Sequence, residues 1–414
     1  MRIAIVGAGV SGLVSAHALA PAHEIVVFEA GTHVGGHTNT LRVDTPEETH
    51  QIDTGFIVYN DRNYPHFERL LAKLRVASQP SEMSFSVADQ HGTFEFNGAS
   101  ANGVFATRAM LRSAWFHRML AEVPRFQRAA RALLASGEDG PSLGDWLEAE
   151  RFSRPFIERL IVPQASAVWS ADPGQMSSFP ARFLAEFFDN HGMLSLRGRP
   201  RWRVVRGGSA RYVEALTRTF ADRIRLGAPV SEIRRSDDHV EVRVRGQEAE
   251  RFDHVVIASH SDQALRLLAD ASPREHEILA AIPYQRNEAV LHTDRRLLPR
   301  RRRAWASWNY HLLDEPASRA TVTYHMNRLQ SLSSSQQFLV TLNHTEAIDP
   351  ARVIRCFDYA HPVFTTTGVG AQRRVEEISG RNRTHYCGAY WGWGFHEDGV
   401  RSALRVAAEL GVRP

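Results

Sequence analysis

Four consecutive apolar residues, Ile3-Ala4-Ile5-Val6, open the chain and run straight into glycines. That is the pattern of a short strand buried on both faces of a parallel sheet. A helical run follows through Ala20, and Glu24-Ile25-Val26-Val27-Phe28-Glu29 repeats the strand pattern, so residues 1–29 predict a strand–helix–strand unit. The pattern changes over 100–200, where helical spacing dominates. From Phe105 to Leu134 apolar residues (Phe105, Ala109, Phe116, Leu120, Val123, Ala130, Leu133) recur on one helical face, and Pro124 predicts a break into two helices. Short strand-like runs return at Val240–Val244, His254–Ala258, Ala320–Tyr324 and Phe338–Leu342. The stretch from Arg383 to Leu410 reads as strand, glycine-rich turn and helix, and Ser331 to Gln337 as a surface loop. These patterns predict an α/β chain with a discontinuous Rossmann-type domain (1–75, 200–285 and 375–414). An α+β domain (76–199 and 286–374) completes it, in keeping with a length of 414 residues.

Between the first strand and helix stands Gly7-Ala8-Gly9-Val10-Ser11-Gly12. Gly7 permits the tight turn, Gly9 lets the backbone approach a pyrophosphate, and Gly12 allows helix and strand to pack closely. The helix start directs free N–H groups and the positive end of its dipole at the phosphates. Glu29 closes the second strand, where a carboxylate can accept hydrogen bonds from ribose hydroxyls. A dinucleotide cofactor follows from this context. A glycine pair, Gly35-Gly36, then His37 and Thr38, gives a second close backbone approach and suggests a long cofactor.

Composition narrows the field. No run of eighteen apolar residues suggests a spanning helix. The net charge is +4, and the positive charge is arginine except for Lys73. Cys356 and Cys387 are too few for a disulfide framework, which fits a cytoplasmic setting. Arg2 and the apolar run to Ala20 imitate a signal peptide, but the glycines inside it argue for a cofactor loop. Among the histidines His33 and His37 have HxxxH spacing with Gly35 and Gly36 between them, so no metal is expected. No nucleic-acid motif accompanies the arginines.

The glycine pair after the ribose acid, together with Gly388-Ala389-Tyr390-Trp391-Gly392-Trp393-Gly394-Phe395-His396-Glu397-Asp398-Gly399, resembles the flavin amine oxidase and phytoene desaturase superfamily. The resemblance implies FAD, with Arg where this chain has His37. It places Gly388 and Asp398 near the pyrophosphate and ribityl chain, the Gly399 and Val400 amides at the flavin edge, and the Val230 backbone on adenine. Gly7, Gly9, Val10, Ser11, Gly12, Glu29, Ala30, Gly35, Gly36, His37, Thr38 and Gly55 complete the candidate cofactor set. Asp53-Thr54-Gly55-Phe56-Ile57-Val58-Tyr59-Asn60, Phe187-Phe188-Asp189-Asn190-His191-Gly192 and Trp305-Ala306-Ser307-Trp308-Asn309-Tyr310 resemble a bacterial group of FAD-binding proteins. That group accompanies cyclopropane-fatty-acid-synthase-like methyltransferases, and some relatives desaturate methylated acyl chains toward furan fatty acids. The resemblance implies a lipid or fatty acyl substrate and a methyltransferase partner.

The arginines interleaved along 105–134 against one acid, Glu122, match a basic amphipathic helix that could rest on the inner membrane face, and equally a core helix with solvated arginines. Arg300 to Arg303 is a second basic run that could face phosphate. Amine oxidases of the superfamily keep a lysine near the flavin, whereas Lys73 lies in a helical run outside any matching motif. Tyr59, Asn60, Tyr310, Trp391 and His396 are the catalytic candidates, as proton carriers or as walls of an apolar tunnel. The expected activity is desaturation or isomerisation of an acyl chain. An amine oxidase, an isoprenoid desaturase and a non-catalytic FAD-binding subunit are the alternatives.

Overall fold

The structure, a computed structural model, describes residues 1–137, 140–195, 198–314 and 319–412. Arg2–Val6 is the centre of a five-stranded parallel sheet in the order Ile224–Arg225, Glu24–Phe28, Arg2–Val6, His254–Ile257, Thr384–Tyr386. Ile3, Ala4 and Ile5 are fully buried, as a strand covered on both faces requires. The sheet grows to one side of Arg2–Val6 and then to the other. At such a switch point the loops leave in opposite directions and open a crevice beyond the carboxyl ends of the strands. Strands from the beginning, middle and end of the chain meet there.

Helix Val10–Leu19 packs against the last helix, His396–Glu409. Gly399 permits the approach: a Cβ there would stand 2.7 Å from Val10 Cγ1 and 2.9 Å from Ser11 Oγ. A three-stranded antiparallel meander, Val230–Arg235, Val240–Val244 and Ala249–Phe252, adjoins the parallel sheet.

A second sheet has seven strands in the order Val353–Pro362, Tyr284–His292, Leu339–Leu342, Val322–His325, Trp308–Leu312, Phe85–Asp89, Glu95–Asn97. All neighbours are antiparallel except Trp308–Leu312 with Phe85–Asp89. Its aromatic-rich core is shared with the helices of 114–190.

The expected break at Pro124 does not occur: Ala114–Ala135 is one helix with the proline inside it. Proline costs a helix interior about 3 kcal/mol. Phe116, Met119, Phe126 and Ala130 on both sides of it are buried on one face, and each large apolar side chain contributes about 1.5–3 kcal/mol. Packing wins over propensity. The same burial decides between the two readings of this helix, because its apolar face is spent on the core rather than left for lipid.

Asp53 ties the two sheet regions together. Fully buried, it accepts from Thr40 Oγ1 (2.5 Å), Ser209 N (2.8 Å), Ser209 Oγ (2.7 Å) and Gln330 Nε2 (3.1 Å). Burial pushes its carboxyl up to about 6 despite these donors.

Candidate cofactor and active site

A cavity of about 600 Å³ lies at the carboxyl edge of the parallel sheet. Gly7, Glu29, Ala258 and Gly388, which follow its strands, all line it. Glu29 is fixed before any ligand arrives: Oε2 accepts from Ala8 N at 2.8 Å and Oε1 from Gly31 N at 2.7 Å. Each oxygen keeps a lone pair for a hydroxyl.

The glycines divide the labour. Gly7 has φ +106°, and a Cβ on Gly12 would stand 1.9 Å from Gly7 O. A Cβ on Gly9 would meet nothing within 4 Å; it would point into the space a cofactor needs. The Gly35 amide donates to Ala8 O (2.8 Å) in a bridge that sets the glycine pair beside Gly9. A Cβ on Gly36 would lie 3.1 Å from Gly9 Cα, and one on Gly55 would lie 2.2 Å from His37 O. Val10, Ser11, Ala30 and Val230 also face the cavity, while Gly12 lies beneath the turn. This cradle of backbone and one carboxylate fits the adenosine diphosphate half of FAD.

His37 lies on the cavity wall but brings no charge. Burial, then the neighbouring His361, His260 and His396, drives its pKa well below the usual histidine range. The charge contact that an arginine would make is therefore absent. Its buried Nε2 has no protein partner, and a bound group can supply one. His361 accepts from Asn287 Nδ2 at Nδ1 (2.9 Å), so its proton sits on Nε2. Burial lowers it to about 4. His260 stacks on Tyr284 with ring centroids 4.4 Å apart. Neither histidine was legible as a site residue, because each comes to the wall from a strand end without a local motif.

In the C-terminal segment Gly388, Tyr390, Phe395 and His396 reach the wall, and Trp391, Asp398, Gly399 and Val400 do not. Asp398 is committed to its own turn, accepting from Trp393 N (3.0 Å) and Phe395 N (3.2 Å) and pairing with Arg401 (2.7 Å). Burial raises it to about 6. The Gly399 amide is spent on Phe395 O (3.2 Å). The amides without helical partners sit at the helix start, on His396 and Glu397. Asp398→Ala should strand the Trp393 and Phe395 amides at about 1–3 kcal/mol. A lower thermal midpoint and partial loss of bound flavin would show it.

The catalytic candidates divide in the same way. His396 lines the cavity, but its Nε2 is engaged by Thr38 Oγ1 (2.9 Å) and Tyr212 OH (3.1 Å), its ring stacks on Phe56 at 3.5 Å, and burial lowers it to about 3. It stays neutral and holds the loop, and it turns Thr38 away from the wall. Tyr59 is buried against Tyr64 and Phe67, and Asn60 Oδ1 caps the Arg62 and Asn63 amides (3.1 and 2.9 Å). Tyr310 is buried in the core of the second sheet, and Trp391 packs toward the parallel-sheet core. None of these four lines the cavity. Trp169, Trp308, Tyr324, Tyr359 and Phe364 do; Trp308 and Tyr390 stand in the same motifs as Tyr310 and Trp391, displaced by two positions and one.

Lys73 is exposed on helix Pro65–Leu74, away from the cavity. Burial pushes the Cys387 thiol up to about 12, and it faces Ser15 Oγ (3.6 Å) in the core. His191 bonds Phe187 O through Nδ1 (2.9 Å) and is structural. Among the described residues no group of three or more His, Cys, Asp or Glu could hold a metal. No helix among them is long and apolar enough to cross a membrane.

The model of the flavin containing amine oxidoreductases matches residues 10–411. The chain belongs to this family. It is a flavin-dependent oxidoreductase and its cofactor is FAD. Among solved structures it is similar to cyclohexylamine oxidase from Brevibacterium oxydans IH-35A, with a TM-score of 0.72 over 98% of both chains and 18% identity. A CLA-producing fatty acid isomerase from P. acnes gives 0.71 over 99% of both chains at 16% identity. These identities show a shared fold. A short segment is 49% identical over 45 residues to a 4,4'-diapophytoene desaturase (4,4'-diaponeurosporene-forming) of Staphylococcus aureus (strain bovine RF122 / ET3-1), covering 11% of this chain and 9% of that relative. In this family member Gly7, Gly9, Gly35 and Gly36 would give FAD its backbone seat and Glu29 would offer its carboxylate to the ribose, with Tyr390 and Phe395 on the wall of the same cavity. When bound, FAD supplies the two-electron acceptor.

Proposed function

We propose that this flavoenzyme desaturates, or moves a double bond along, a methylated or unsaturated fatty acyl chain. One observation carries the reading. Among the described residues only Glu29 and Arg266 on the cavity wall bear a formal charge, and both belong to the parallel-sheet side. Opposite them the wall is Val168, Trp169, Trp308, Tyr324, Leu342 and Phe364. A methylene chain entering such a space gains about 0.8 kcal/mol per buried CH₂, whereas a cation would be desolvated without an ionic partner. The similarity to a fatty acid isomerase and the segment match to a diapophytoene desaturase point the same way.

Amine oxidation is the second reading, favoured by the perpendicular rings of Trp308 and Tyr324 at 5.0 Å, which could receive an amine's alkyl groups and its charge. A scaffold without chemistry is disfavoured, because one chamber runs from the glycine turn to the seven-stranded sheet.

Anaerobic titration separates the readings. The holoenzyme is mixed with phospholipids carrying methylated or unsaturated chains, and with small amines. The flavin absorbance is followed and the lipids are analysed. Bleaching, or a displaced double bond in recovered lipid, is expected. Bleaching by amines with every lipid unchanged would sink the acyl reading.

A further inference from the structure

Two basic segments far apart in sequence form one surface. Arg303 Nε donates to Ala106 O at 2.9 Å, and a Cβ on Gly103 would stand 3.4 Å from Arg303 O. This joins the 300–303 run to the short helices Ala101–Val104 and Arg108–Arg112. Arg108, Arg112, Arg302 and Arg303 are exposed there, and none pairs with a carboxylate among the described residues. Arg108 bonds Phe105 O and Asn102 Oδ1, and the Arg302 guanidinium lies over the Trp305 ring at 5.4 Å. The nearby acid is already used: Glu95 is buried and takes Arg301 together with the amides of Arg300 and Arg301. Among the arginines stands Leu111, 51% exposed and one of four exposed large hydrophobic side chains among the described residues.

We propose that this face seats the protein on an anionic lipid surface, with the four guanidiniums on phosphates and Leu111 in the headgroup–acyl boundary. Unpaired guanidiniums match phosphate geometry. An apolar side chain in their midst favours lipid over nucleic acid, whose backbone would leave the leucine against charge. The seat takes the Arg108–Arg112 end of the first basic run together with the 300–303 run, and not helix Ala114–Ala135, whose apolar face is in the core. The inference stands whichever substrate the cavity takes.

Cosedimentation of the FAD-loaded full chain with vesicles tests it, using phosphatidylcholine with and without phosphatidylglycerol. Binding only to the anionic vesicles, weakened by salt, is expected. Each arginine near the surface contributes roughly fivefold, so the R108Q/R112Q/R302Q/R303Q variant should partition several-hundred-fold less. Leu111→Asp should also bind less, and R218Q/R245Q, on other exposed positions, should match the parent chain. Flavin content and thermal midpoint report that each variant is folded. Equal binding to neutral vesicles, or unchanged binding by the quadruple variant, would overturn the proposal. So would indifference to vesicles combined with duplex nucleic-acid binding that the quadruple variant loses.

Discussion

Gly12→Ala is expected to yield a chain that neither holds flavin nor folds stably, whereas Gly9→Ala should fold and fail only at the cofactor. The added carbon at Gly12 would stand 1.9 Å from Gly7 O, 3.0 Å from Gly7 C and 3.2 Å from Ala258 Cβ. Gly7 cannot retreat, because its amide is bonded to Phe28 O at 2.8 Å and its φ is +106°. Ordinary overpacking costs about 1–3 kcal/mol, and a backbone collision between two anchored segments should exceed that. At Gly9 the added carbon meets open space, so the thermal midpoint of the flavin-free protein should be unchanged. It would nevertheless occupy room the pyrophosphate needs, and a penalty of about 1–3 kcal/mol lowers affinity roughly 5- to 150-fold. Flavin-to-protein ratio and apoprotein melting, measured on both variants, check the contrast. Equal behaviour of the two would show that the glycines do not divide their roles this way.

Arg235→Met should be the most destabilising change away from the cofactor. The Arg235 and Glu275 side chains are 2% and 3% exposed, with contacts of 2.5 and 3.0 Å. Arg235 also reaches Asp270 (3.0 Å), and Tyr386 donates to Glu275 (2.5 Å). Removing one partner of such a pair costs about 3–5 kcal/mol. With an unfolding entropy of about 2.1 cal/mol/K per residue, the midpoint should fall by about 3–6 °C. The pH dependence has a definite sign. Burial alone would raise Glu275, but Arg235, Tyr386 and Ser272 hold it down at about 2. Its stabilisation is therefore complete above its usual 4.5 and is lost as pH falls toward 2. In the variant the unpaired carboxyl should titrate upward instead, so the deficit widens from acid to neutral pH. Denaturation midpoints along a pH series read this out, and a constant deficit would contradict the pairing.

The local part of the site was legible. Gly7 to Gly12, Glu29 and the glycine pair lie next to strands whose apolar runs announce them; Gly7 makes the tight turn, Gly12 packs against it, and the pair comes to stand beside Gly9. Sequence identified Phe395-His396-Glu397-Asp398-Gly399 as a unit but misassigned its parts. Asp398 and Gly399 serve the turn and the helix crossing, and Glu397 caps another helix through the His66 and Phe67 amides (3.1 and 3.0 Å). A carboxylate can cap a helix or meet a ligand with the same local sequence, and only the neighbouring chain decides. The apolar wall was hidden for a related reason. Trp169, Tyr324 and His361 come from three strand or helix ends far apart in sequence. No period or motif singles them out from the buried aromatics behind them. Pro124 shows the opposite error, a strong local signal overruled by four buried side chains.

The parallel sheet takes its central strand from residues 2–6 and an edge strand from residues 384–386, and this bears on how the protein is made. Domains fold in general from the N-terminus as the chain emerges during synthesis. Here the glycine turn is made early, whereas Gly388, Tyr390 and Phe395, which line the same cavity, are translated long after it. The nascent chain must keep its first strand and helix unpartnered by helix His396–Glu409 until that distant segment has been made. The cavity wall is therefore complete only once the segment after Thr384–Tyr386 has joined the sheet.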